Sequence, residues 1–85
     1  MEIQLDQESI YLKVKEVIED ALQNRPVEIT PTSNLIEDLK ADSLAIVTMA
    51  YSLEDELAVE IPDTDLEQLT TVDSVVQYIL RRLQQ

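Results

Sequence analysis

Not one of the 85 residues is glycine. The tight hairpins that join antiparallel strands need backbone at φ > 0, which glycine supplies at least cost, so a turn-rich β fold is hard to build from this chain. Helix interiors need no such positions. There are only three prolines, and 45% of the residues are hydrophobic, a balance that suits packed helices and not a disordered acidic tail. The expectation is an all-α fold, one domain over residues 1–85, with a stability of about 5–10 kcal/mol.

Apolar spacing places the helices. From Asp6 or Ser9 to Gln23, the residues Ile10, Val14, Val17, Ile18, Ala21 and Leu22 recur at helical intervals, with Lys15 and Glu19 set as an i,i+4 pair. Pro26 and Pro31 then interrupt helix and mark a long connection, which Ile29, Leu35, Ile36 and Leu39 should pin to the core. A second helix runs from about Ser43 to Ala58 and stops before Pro62; "DTDLEQL" offers a short third. In "TTVD", Thr70 as N-cap and Asp73 three residues on approximate a capping box for a last helix. Its apolar face is Val72, Val75, Val76, Ile79 and Leu83, and Arg81 and Arg82 in its final turn complement the helix dipole. The predicted topology is three main helices, one short helix and a long first loop.

Charge narrows the partners. With 18 acidic and 6 basic side chains the net charge is −12, which repels nucleic acid and anionic membranes and attracts basic protein surfaces. Residues 41–80 hold nine acids and no base. The start "MEIQLDQESIYLK" lacks a basic stretch followed by an apolar run, and no segment approaches the length of a membrane span. A cytoplasmic monomer is expected.

Chemistry is constrained by what is missing. Without histidine or cysteine the chain lacks the usual neutral-pH proton shuttle, a thiolate nucleophile, disulfides and the common zinc ligands. Neither a catalytic residue nor a metal site is expected. A calcium loop beginning at Asp63 fails by spacing, because Gln68 stands where glycine is needed and Ser74 where glutamate is.

The second helix carries two apolar stripes. At about 100° per residue, Ile46, Met49, Ala50, Leu53 and Leu57 share one side, sufficient to bury it. Leu44, Val47 and Tyr51 fall on an adjacent flank that begins at Ser43 and continues to Glu54 and Asp55, a mixture suited to a partner groove or to a widened core stripe. Ser43 itself has two readings. Asp42 or Ser43 caps the helix, or Ser43 is an exposed hydroxyl modified by another enzyme, since a phosphate ester there meets free N–H groups and the positive dipole end.

"NLIEDLKADSL", a helix ending in "LEDELAVEIPD", and then "LTTVDSVVQYI" together resemble the acyl carrier protein family from the first helix through the last. Asp42-Ser43-Leu44 alone is a short motif; with "EIPD" and "TTV" at their usual distances the pattern becomes specific. The resemblance implies an acyl-carrier-like bundle in which a phosphopantetheinyl transferase attaches 4′-phosphopantetheine covalently to Ser43. The arm supplies the thiol that the sequence lacks, and acyl groups ride on it as thioesters. By the same resemblance the chain performs no chemistry itself but presents substrates to basic-surfaced synthases, transferases or ligases. Asp42, Leu44, Val47, Tyr51, Glu54 and Asp55 would dock them, and Ala50, Ile61, Leu69 and Val72 would line an acyl cleft.

Four positions depart from the family's usual pattern. Lys40 stands where glycine is usual, before Ala-Asp-Ser-Leu, and would reshape the turn if φ must be positive there. Ala45 and Thr48 occupy places where fatty-acid-type carriers commonly have acids, and Tyr51 one where methionine is frequent. Fatty acid synthesis and specialised, polyketide-type acyl metabolism both remain open as pathways. The other readings are an unmodified acidic helical adaptor, with Ser43 only a cap, and a peptidyl or aminoacyl carrier.

Overall fold

The computed structural model describes residues 6–23 and 28–83. Three α-helices form, α1 (Gln7–Ala21), α2 (Ser43–Leu57) and α3 (Val72–Leu83), with a 3-10 helix (Asp63–Gln68) between the last two. No strand occurs among the described residues; one isolated bridge pairs Asn34 with Thr71. The all-α expectation and the helix order both hold. Arg25 and Pro26, part of the expected loop, lie outside the described residues.

α1 starts where Asp6 accepts a hydrogen bond from the Ser9 N–H at 2.9 Å. That backbone contact holds the Asp6 carboxyl below its ordinary range. The helix buries Ile10, Val14, Val17 and Ile18 and packs against both α2 and α3. The expected Lys15–Glu19 pair is replaced by a longer-range one: Lys13 Nζ lies 3.2 Å from Glu56 on α2 and 3.6 Å from Glu16. The hydrogen bond to Glu56, more than the neighbouring charges, raises the Lys13 ammonium's pKa.

The loop before α2 is held by side chains. Asn34 Oδ1 accepts from the N–H groups of Ile36 and Glu37, both at 2.9 Å, and the Asn34 N–H donates to Asp38 Oδ2 at 2.7 Å. These bonds wind one helix-like turn. Backbone bonds from Leu35 N–H to Thr70 O (2.9 Å) and from Val72 N–H to Ser33 O (3.1 Å) strap it to the start of α3. Ile29, Leu35 and Leu39 are buried as expected, but Ile36 is 61% exposed. The tight turn aims consecutive side chains in different directions, so a chain that buries Leu35 and Leu39 turns Ile36 outward.

Among the described residues, three adopt positive φ: Gln23 (59°), Lys40 (58°) and Ala58 (54°). Lys40 therefore does not reshape its turn. It takes the left-handed conformation that glycine would take, and the Ala41 N–H reaches back to Leu35 O at 2.8 Å. Ala58 closes α2 in the same conformation, where a Cβ costs about 1–2 kcal/mol. Ala58→Gly removes that cost but adds unfolded-state entropy, so the melt should report a net gain of about 0.5–1 kcal/mol. A loss of stability in chemical denaturation would show that the cap is unstrained.

The cap of α3 differs from the sequence expectation by one residue. Thr71 Oγ1 accepts from the Ser74 N–H at 3.1 Å, and Ser74 Oγ accepts from the Thr71 N–H at 2.9 Å. The reciprocal box is Thr71 with Ser74, not Thr70 with Asp73, whose N–H instead donates to Pro31 O. α3 buries Val72, Val75, Val76, Ile79 and also Tyr78; Leu83 is only half-buried.

The 3-10 helix buries none of its own residues, and Tyr78 tethers it by donating its hydroxyl to Asp65 Oδ2. Burial first, and this bond second, push the Tyr78 phenol up to about 12. The unfolded phenol titrates near 10, so the stability tied to the neutral form is complete below about pH 10 and is lost as pH rises through about 12. Tyr78→Phe should cost about 0.5–1.5 kcal/mol at neutral pH and flatten the alkaline limb of the stability profile. An unchanged alkaline limb would show that other groups govern it.

Candidate functional site

Asp42 caps α2. Its backbone is extended (φ −88°, ψ 179°), and its Oδ1 accepts from the Ala45 N–H at 2.8 Å. The Ile46 N–H is taken by Asp42 O at 3.1 Å. Ser43 is thereby left as the first helical residue, exposed. Among the described residues its hydroxyl has no hydrogen-bond partner, and the N–H groups of Ser43 and Leu44 have no acceptor. A serine used for capping would have spent its oxygen on the helix; this one has not.

The surroundings suit a phosphate ester. Two unmatched N–H groups at the positive end of the α2 dipole favour an anion, and the first turn carries no acid. Lys40, exposed, stands three residues before Ser43 on the positive-φ turn. The geometry therefore fits a phosphate ester on the Ser43 hydroxyl, and the chain has no histidine to serve as the usual partner of a serine nucleophile.

Of the two readings the helical spacing allowed for the flank after Ser43, the exposures favour the open one. Leu44 is 72% and Tyr51 62% exposed, whereas Leu53 is 1% exposed. Val47 is half-buried between them, and Ile46, expected in the core, is also half-buried, packed on its edge. Asp55 is exposed. Glu54 also supports the backbone. Its Oε2 accepts from the Ile61 N–H at 3.1 Å, tying the chain after α2 back to the helix. The four expected cleft residues, Ala50, Ile61, Leu69 and Val72, are all buried in the common core. Sequence reasoning missed Ile36 as a surface residue. It lies on the loop that leads to Ser43 and is 61% exposed; the signal was "NLIED", in which Asn34 begins a turn.

Comparison with known proteins decides the family. A family model described as "Phosphopantetheine attachment site" matches residues 12–79. An acyl carrier protein of Clostridium perfringens is 52% identical over 67 residues, covering 79% of this chain and 88% of that relative. The chain belongs to the acyl carrier protein family.

Other relatives agree. The acyl carrier protein of Rubrobacter xylanophilus is 40% identical over 76 residues, 89% of this chain and 94% of the relative. The meromycolate extension acyl carrier protein of Mycobacterium leprae is 45% identical over 73 residues, 86% of this chain and 64% of the relative. Among solved structures, a chain described as an acyl carrier protein from Mycobacterium tuberculosis superposes with a TM-score of 0.77 at 26% identity, covering 85% of this chain and 96% of that one. The cofactor of this carrier is 4′-phosphopantetheine. Carriers of this family are served by a phosphopantetheinyl transferase and meet acyl-handling enzymes. No helix among the described residues is long and apolar enough to cross a membrane.

Proposed function

We propose that Ser43 carries the 4′-phosphopantetheine and that the chain, acting as a single carrier domain without catalysis of its own, presents acyl thioesters to biosynthetic enzymes. The observation that carries this reading is the division of labour at the start of α2: Asp42 caps the helix, so the Ser43 hydroxyl is exposed and uncommitted. The prosthetic arm supplies a thiol whose thioester leaves the acyl carbonyl open to nucleophiles and its α-carbon acidic. The chain's own residues hold and aim that arm. Leu44, Val47 and Tyr51, with Asp42, Glu54 and Asp55, form the docking flank for basic-surfaced synthases, transferases or ligases. Attraction between opposite charges speeds encounter, while the apolar contacts set affinity.

Ala45 and Thr48 leave the upper flank neutral. That neutrality favours enzymes that read the apolar stripe over enzymes that read carboxylates at those two places. Fatty acid synthesis and a dedicated, specialised acyl pathway are both served by such a carrier; similarity to a meromycolate extension acyl carrier protein adds an extension pathway of that kind to the candidates. The cap at Asp42 weighs against the unmodified-adaptor reading, which gave Ser43 no role but that of cap.

Incubation with magnesium, a broad-specificity phosphopantetheinyl transferase and an acyl-coenzyme A should yield an acyl-phosphopantetheine adduct that hydroxylamine trims to the thiol form. An adduct resistant to hydroxylamine, or mapped away from Ser43, would contradict the reading.

A further inference from the structure

Beside Ser43 lies an open groove of about 510 Å³ between the end of α1 and the start of α2. Its lining includes Asp42 and Leu44, which flank Ser43 in sequence, together with Lys40, Ala45 and Thr48 and the α1 terminus around Leu22. The volume falls within the range of roughly 300–1,000 Å³ typical of small-molecule sites. Two of the family departures form part of its wall: acids at 45 and 48 would add two carboxylates to those of Asp20 and Asp42, whereas alanine and threonine add no charge there. A third departure, Lys40, adds a cation to the same wall.

We propose that this groove is a resting site for the phosphopantetheine arm itself. The inference rests on Ser43 as the attachment point. An arm tethered at Ser43 starts between two lining residues, so its local concentration at the groove is high without any diffusion step. Its chemistry matches the wall: an anionic phosphodiester for Lys40 and the unmatched N–H groups of Ser43 and Leu44, amide N–H groups for the exposed Asp20 carboxylate, and methyl groups for Ala21 and Ala45. The Asp42 carboxylate, also in the wall, is already engaged by the Ala45 N–H. The groove lies on the α1 side of α2, whereas the buried residues Ala50, Ile61, Leu69 and Val72 belong to the core. Arm storage and the docking flank therefore overlap at Asp42 and Leu44, and a docking enzyme releases the arm by covering those two residues.

The test uses the intact carrier, first shown by mass to bear one phosphopantetheinyl group. The chain has no cysteine, so iodoacetamide reads the arm's thiol alone. In the wild type, alkylation should be at least about threefold slower than in Thr48→Glu and in Lys40→Gln, the factor for an arm docked about two-thirds of the time. Amide shifts between unmodified and modified protein should extend to Ala45, Thr48 and Gln23. Equal alkylation rates in the three proteins, or shift changes confined to residues 42–44, would overturn the groove. A protein that gains no phosphopantetheine overturns the attachment at Ser43 and the groove with it. Thr48 is exposed on the helix, so its replacement leaves the core intact; superposable circular dichroism of the variants confirms that the comparison is between folded proteins.

Discussion

Ser43→Ala should gain no phosphopantetheinyl group under conditions in which the wild type is fully converted, and should keep its stability within about 0.5 kcal/mol. Both halves follow from one geometry. The Ser43 hydroxyl is the only group the substitution removes, and no hydrogen bond within the described residues depends on it. Alanine at the first helical position is, if anything, the better helix former. Asp42→Ala should behave differently, losing about 1 kcal/mol because the Ala45 N–H loses its acceptor. Asp42→Asn keeps an oxygen for the cap and removes the charge, so any slowing of modification in that variant reports electrostatic recognition by the transferase. If Ser43→Ala were the destabilised protein and Asp42→Ala the neutral one, the cap would have been assigned to the wrong residue.

Leu53→Ala and Tyr51→Ala should separate folding from docking on a single helix. Leu53 is 1% exposed within the common core, and its truncation should cost about 2–5 kcal/mol, through lost transfer energy and the cavity left behind. Against an expected total of about 5–10 kcal/mol, that leaves a carrier partly unfolded at modest temperature. Tyr51 is 62% exposed and Leu44 72% exposed. Tyr51→Ala or Leu44→Ala should leave the melt almost unchanged and weaken loading or turnover by a partner enzyme by about 1–2 kcal/mol, a moderate hot-spot loss. A Tyr51→Ala protein that unfolds while its residual folded fraction stays fully active would remove Tyr51 from the docking flank.

The sequence carried the helices because their apolar spacing is regular: Ile10, Val14, Val17 and Ile18 on α1, and Met49, Ala50, Leu53 and Leu57 on α2, are buried as that spacing requires. It left Leu44 and Tyr51 open between a partner groove and a widened core stripe, and their exposure of 72% and 62% decides for the open flank. What it did not carry depends on contacts between segments distant in the chain. Tyr78 falls outside the apolar face that the spacing gives the last helix, yet it is buried and its hydroxyl meets Asp65 on the 3-10 helix. Glu54 reads as a surface acid until the Ile61 N–H arrives. The α3 cap moved from Thr70 to Thr71 because the bridge between Asn34 and Thr71 fixes where extended backbone ends. Lys40 illustrates a second kind of limit. A glycine-like φ at a lysine is set by the turns around it, the Asn34 turn before and the Asp42 cap after, and lysine's own preference is overridden. At the candidate site, "ADS" allowed either Asp42 or Ser43 to cap α2; only the placed Asp42 carboxylate separated the two roles.

That separation is the central claim, and one measurement reaches it most directly: fragmentation mass spectrometry of the carrier isolated from its native host, read across residues 40–46. The account predicts one phosphopantetheinyl group, bare or acylated, on the fragment ions that contain Ser43, and an intact mass that leaves no second group for Ser9, Ser33, Ser52 or Ser74. A carrier isolated from its host without the group, or bearing it on another residue, would contradict it.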